Sequence, residues 1–336
     1  MNYPEMKRSY FRLASVCFLF FLLLNTAVLA QFGKNKVRYD QYDWSYIQTD
    51  HFDIYFHDKG EELAHFAAPV AEEVVSEISR VLNWRLRKRV SVIIYNSHSD
   101  FQQTNVTQGY LTEGILGFTE LLKNRSVLAF DGSINSFRHL IRHELVHVVV
   151  NDMIYGGSIQ SVISGRVRLQ IPLWMNEGLA EYISMGWDTN ADMILRDIAT
   201  NNDIPNIRKL DYYLAYKGGQ SVYRFIADRY GVQKIGEIWA NMKGRSSAEK
   251  GIEKSIGLNM EELTETWHKW VRKKYWPDIA DRDELDDIAL RLTDHKKLKN
   301  YFNTGPAINP DGTKIAMMSD RKGYADIFLI DAIAVS

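Results

Sequence analysis

His143-Glu144-Leu145-Val146-His147 lies in a stretch whose apolar pattern turns helical from Phe137. Two histidines four positions apart project from one face of a helix and can share one zinc ion. Glu144 sits beside that face. It is near enough to take a proton from a water at the metal and pass it to a leaving amine, but poorly placed to be an in-line ligand. Thirty residues beyond His147 comes Glu177, in Leu173-Trp174-Met175-Asn176-Glu177-Gly178-Leu179-Ala180-Glu181-Tyr182. Asn176 to Ser184 reads as a second helix, with Glu177 and Glu181 on a common face. Two carboxylates on a helix carrying Leu179, Ala180 and Ile183 need a reason, the plain one being a solvated acidic face. Glu177 as third ligand supplies another, because His, His, Glu and a water form the open arrangement of catalytic zinc. Glu181, one turn on, can accept the second ring N–H of a ligand histidine and hold its tautomer. His139 shares the face of His143, but three in-line histidines cannot converge on one tetrahedral ion. It therefore reads as a supporting or purely structural histidine.

Around this core the composition is that of a globular protein. The chain has 336 residues, 46% hydrophobic and 25% charged, with 41 Lys+Arg against 42 Asp+Glu. A large core is affordable, wholesale disorder is excluded, and no basic surplus points to nucleic acid. Lys7, Arg8 and Arg12 precede the apolar run Leu13 to Leu24 and then Thr26-Ala27-Val28-Leu29-Ala30. That order reads as a secretory leader cleaved after Ala30. An uncleaved anchor is the alternative, since Leu13 to Ala30 is just long enough to span a bilayer. The one cysteine, Cys17, lies inside the leader, so the mature chain has no disulfide. The expected location is beyond the inner membrane, in the periplasm or cell envelope.

Before the catalytic helix the pattern is α/β. Val37 to Gln48 reads as an irregular lead-in. His51 to Phe56 alternates as a strand, Glu61 to Leu82 carries one apolar helical face, and Val90 to Tyr95 is a second strand. Ile115 to Leu122 and Ser126 to Phe130 read as a hairpin about Lys123-Asn124-Arg125. Ser133 or Asn135 is the expected cap of the next helix, and the chain stays mostly helical to about Lys274.

The run His143 to His147, followed by Trp174-Met175-Asn176-Glu177-Gly178-Leu179-Ala180, resembles the gluzincin metallopeptidases, above all the compact bacterial peptidase MA-like domains. The resemblance implies an α+β, zincin-like fold over roughly His51 to Lys274: a small N-terminal α/β layer and a helical C-terminal half. It implies one zinc ion held by His143, His147 and Glu177, with Glu181 supporting a histidine. Tyr216-Lys217-Gly218-Gly219 partly matches the Tyr-x-Lys-Gly segment of the aminopeptidase branch, whose tyrosine donates to the oxyanion. Gly218 stands where that branch has Lys. Tyr216 is thus the candidate donor, with Tyr212, Tyr213 and Tyr223 as rivals. No Gly-Ala-Met-Glu-Asn motif for a substrate's free amine is found, which disfavours exopeptidase action. The resemblance also makes Ser126 to Phe130 the edge strand for an extended substrate, and Tyr155 to Leu169 an extra loop near the cleft.

Asn303 to Ala332, with Asn309-Pro310-Asp311-Gly312, resembles one blade of a TolB-type β-propeller, Asn309 replacing the usual Ser. One blade cannot close a ring, which makes a longer peptidase–propeller protein the expectation, with a short β tail on the catalytic domain as the plain alternative. The division so read is 1–30 leader, 31–275 peptidase domain, 276–300 linker and 301–336 partial blade. The function expected is a secreted zinc endopeptidase acting on peptides or proteins, with Glu144 as base. The alternatives are a non-catalytic envelope scaffold and a zinc hydrolase of a non-peptide acyl substrate. Expected partners are the substrate and a protein bound through a propeller, with no nucleic acid. Membrane contact is expected only through an uncleaved leader.

Overall fold

The computed structural model describes residues 40–332 apart from 105–106, 108–110, 121–124, 157–170, 244–246, 279, 281 and 284. The leader, the hairpin tip and most of the expected extra loop lie outside the described residues. The chain divides into two compact units, 1–272 and 273–336.

The first unit is built on a five-stranded sheet. Its strands are β1 (Trp44–Gln48), β2 (Phe52–His57), β3 (Val90–Tyr95), β4 (Gly117–Glu120) and β5 (Arg125–Ala129), in the order β1-β2-β3-β5-β4. The three central strands are parallel and each outer strand is antiparallel to its neighbour. Helix α1 (Glu61–Leu82) makes the crossover from β2 to β3 and buries Val70, Val74 and Ile78. The alternation of β2 and β3 buries Phe52, Ile54, Val90, Val92 and Ile94. Across the sheet, Tyr95, Val127 and Ala129 pack with Phe101 of the short helix α2 (His98–Gln102) and with Leu111.

Two readings of the sheet change. The lead-in contains a strand, β1, which has no buried residue. Only its pairing with β2 identifies it. The edge strand is β4, and β5, containing Ser126, lies inside between β3 and β4. The burial follows that order: β5 buries Ser126 to Ala129, whereas no residue of β4 is fully buried.

Helix α3 (Ile134–Tyr155) starts three residues before the expected Phe137. Ser133 caps it, accepting from the Ser136 amide at 3.2 Å, and Gly156 closes it at φ 76°. Helix α4 (Leu173–Met185) follows, then α5 (Thr189–Thr200), a 3₁₀ turn Ile207–Lys209, α6 (Tyr212–Tyr230), α7 (Gln233–Asn241), α8 (Ala248–Ile256) and α9 (Met260–Tyr275). Helices α4 and α6 are packed most intimately, at Gly178 and Gly219. A Cβ on Gly178 would lie 2.5 Å from Gly219 Cα, and one on Gly219 would lie 2.9 Å from Gly178 Cα and overlap the Trp174 carbonyl oxygen. The backbones touch there, so Gly219→Ala should destabilise the unit by about 3 kcal/mol, the upper range for overpacking. Urea unfolding measures this, and a variant as stable as the parent would contradict the close approach.

The second unit contains a 3₁₀ turn Trp276–Asp278, two one-turn helices, α10 (Leu285–Ile288) and α11 (His295–Leu298), and a three-stranded antiparallel meander. Its strands are β6 (Asn303–Ile308), β7 (Lys314–Ser319) and β8 (Asp326–Asp331). The segment 276–300, read as a linker, therefore carries short helical turns. Gly312, at φ 75°, turns the β6–β7 hairpin, and Asn309 Oδ1 accepts from the Lys314 amide at 2.7 Å.

Candidate metal centre

Helix α3 presents His143 and His147 one turn apart, and α4 lies across them. His143 Nε2 is 3.2 Å from Glu177 Oε2 and 3.2 Å from His147 Nε2, while His147 Nε2 is 3.4 Å from Glu177 Oε2. Three donors from two helices thus form a nearly equilateral triangle. Donors bonded at about 2.0–2.1 Å to one tetrahedral ion stand roughly 3.3 Å apart. The residues fit a zinc-sized ion by both spacing and chemistry.

Glu181 stands behind the triangle. Its Oε1 accepts from His143 Nδ1 at 3.0 Å and from His139 Nε2 at 3.1 Å. With the Nδ1 proton given to Glu181, the His143 Nε2 lone pair is left facing the triangle. His139 is thereby a partner of Glu181, and it lies apart from the three converging donors. His147 Nδ1 is buried without a hydrogen-bond partner among the described residues.

Two carboxylates, Glu177 and Glu181, face the ring of His143. Burial opposes charge on His143, but the hydrogen bonds it donates to Glu177 and Glu181 outweigh it and raise its pKa to about 10. Burial likewise opposes charge on Glu177, yet both histidines hold it well below the usual carboxylate range. Glu181 is lowered in the same way by His139, His143 and Lys217 against its burial. A metal ion bound at the triangle would take the place of the imidazole proton.

A cavity of about 680 Å³ opens over the triangle, lined among others by Glu144, Asn176, Tyr216 and the β4 residues Gly117 to Thr119. Glu144 is only 6% exposed, and its Oε2 lies 2.8 Å from Thr119 Oγ1, a hydroxyl that donates to it. Gly117 leaves room for the other oxygen, since a Cβ there would lie 3.2 Å from Glu144 Oε1.

The structure separates the four tyrosines. Tyr212 and Tyr213 are 86% and 52% exposed. Tyr223 is buried, with its hydroxyl donating to the Met175 carbonyl at 3.0 Å and accepting from Trp239 at 3.1 Å. Tyr216 alone of the four lines the cavity, its ring stacked on His143 at 6.0 Å and 19°. Burial, with the nearby charges of Glu177 and Glu144, pushes Tyr216 up to about 12. Its hydroxyl therefore keeps its proton at neutral pH and remains a donor.

Sequence reading missed Thr119 and Lys217. Lys217 Nζ is buried and donates to Glu181 Oε2 at 2.6 Å and to Asp188 Oδ2 at 2.9 Å. Neither residue has a local signal, because each partner lies 25 or more positions away. The one available hint was that a carboxylate buried behind the histidines requires a cation.

No curated protein matches the sequence. Among solved structures, aminopeptidase A of Legionella pneumophila in complex with aspartic acid is similar at 13% identity and a TM-score of 0.42. The match covers 87% of this chain and 34% of that one, so the chain spans about a third of that protein. A likeness at that level carries no functional inference. The model of the Peptidase MA superfamily matches residues 70–273. That match covers more than half of the sequence and takes in α3, α4 and α6 with every residue of the triangle: the chain belongs to the Peptidase MA superfamily.

Proposed function

We propose that this protein is a zinc-dependent endopeptidase in which His143, His147 and Glu177 hold one ion. Membership of the superfamily supports a peptidase-type function. The observation that carries the finer reading is the triangle of donors with the Glu144 carboxylate in the same cavity. Bound zinc would supply Lewis acidity toward the scissile carbonyl and its attacking water. Glu144 takes the proton of that water and returns it to the departing amine. Thr119 holds one oxygen of Glu144, which leaves the other to face the cavity. The Tyr216 hydroxyl donates to the oxygen of the attacked carbonyl as negative charge develops there.

The edge position of β4 supports cleavage within a chain. Among the described residues β4 pairs only with β5, and Gly117 to Thr119 line the cavity. An extended peptide can add to such an edge through its backbone. Tyr216→Phe should lower kcat by about 10²–10³-fold with little change in KM, as expected for a donor used chiefly in the transition state. Steady-state kinetics measure the split, and an unchanged kcat would remove Tyr216 from the mechanism.

Secretion is part of the proposal and rests on the leader sequence. The blade reading of 301–336 rests on the Asn309-Pro310-Asp311-Gly312 pattern, with the meander in its support. The test is incubation of the zinc-loaded protein with a mixed peptide library, read by mass spectrometry beside Glu144→Gln. Internal cuts made only by the parent support the proposal. Trimming from one end would make the enzyme an exopeptidase. Absence of cuts by a folded, zinc-bound protein would turn attention to non-peptide acyl substrates and the scaffold reading.

A further inference from the structure

We propose that Lys217 is a positioning residue for the metal centre, acting through Glu181 on the ring of His143. This rests on the zinc reading above. The Glu181 carboxylate divides its work. Oε1 serves His143 and His139, while Oε2 receives Lys217 Nζ at 2.6 Å. Lys217 and Glu181 are both nearly fully buried, at 6% and 4% exposure. A buried ammonium persists only where it is paired, and this one is held from two sides.

The second hold is Asp188, 2.9 Å from Nζ. Asp188 is itself fixed by the Ala191 amide at 3.0 Å, where it caps α5, and by Gln220 Nε2 at 3.0 Å. Gln220 Nε2 also reaches the Gly186 carbonyl at 2.9 Å. The lysine head therefore has one place to be, set by three helices, and the carboxylate plane of Glu181 is set by it. Helix α4 alone leaves that plane free to turn about the end of the side chain. A turned carboxylate gives up the Nδ1 bond that aims His143 Nε2 at the triangle.

The test is the zinc affinity of the full chain, by competition with a chromophoric chelator, and the visible spectrum of its Co²⁺ form. Lys217→Met should bind zinc about tenfold more weakly and show altered Co²⁺ bands with its helical circular dichroism unchanged. Lys217→Gln keeps a donor without the charge; it should show a smaller loss, and it carries the test if the Met variant does not fold. Glu181→Gln, alone and combined with Lys217→Met, closes a cycle. If the lysine acts through Glu181, the double variant loses no more affinity than Glu181→Gln alone.

Parental affinity and spectrum in a folded Lys217 variant, tighter binding, or losses that add in the double variant would each overturn the proposal. So would failure of both Lys217 variants to fold in excess zinc, since the lysine would then serve only to hold the helices. A parent chain that binds no zinc is a different result. It removes the metal reading and this inference with it.

Discussion

Glu144→Gln is expected to lower kcat/KM by about 10²–10⁴-fold while the protein still binds one zinc ion per chain. The substitution is close to isosteric, and Thr119 Oγ1 can still reach the side-chain amide, 2.8 Å from where Oε2 stands. What is lost is the ability to accept a proton, the one task assigned to this residue. Because no hydrogen bond or ion pair joins Glu144 to the triangle among the described residues, metal content and thermal stability should remain those of the parent. Peptide turnover, measured with zinc content on the same samples, decides the matter. Retained turnover at full zinc occupancy would remove Glu144 as the base. Loss of zinc would show that it supports the metal instead.

His147→Ala is expected to abolish zinc-dependent stabilisation and turnover together. His147 is the cleaner ligand to remove. His143 also bonds Glu181, and Glu177 contacts both histidines, whereas His147 Nδ1 has no partner among the described residues. For the parent, zinc at a thousand times its Kd stabilises the folded state by about 4 kcal/mol. At roughly 2–4 °C per kcal/mol for a unit of this size, the melting point rises by about 8–16 °C. A chelator should reverse that rise in the parent, and the variant should show neither rise nor reversal. Affinity should fall by more than the about 100-fold that loss of an outer partner causes. A zinc-dependent melting shift that survives in His147→Ala would place the ion elsewhere.

The core of the site was legible because its spacing is local. A four-residue step in a helix places His143 and His147 on one face, and the same step links Glu177 to Glu181. Strands β2 and β3 and helix α1 were legible from alternation and from the three-and-four step. The strand β1 was not, because none of its residues is buried and only its pairing with β2 marks it. The edge position of β4 was not either, because strand order is decided by which surfaces meet. Thr119 and Lys217 escaped for a related reason. A single threonine or lysine reads as ordinary until the distant carboxylate that it serves is brought beside it.

By itself the sequence determined the helix that carries His143 and His147, the pairs of side chains on each helix face, and the class of chemistry those pairs suit. Periodicity acts over one or two turns and needs nothing beyond the chain. Tertiary structure alone decided that Tyr216, among four nearby tyrosines, faces the triangle, that Thr119 holds Glu144, and that Lys217 backs Glu181. Those contacts depend on how α3, α4, α6 and β4 meet. The meeting is set by steric facts no local pattern contains, chiefly the backbone contact of Gly178 with Gly219 and the placing of β4 outside β5.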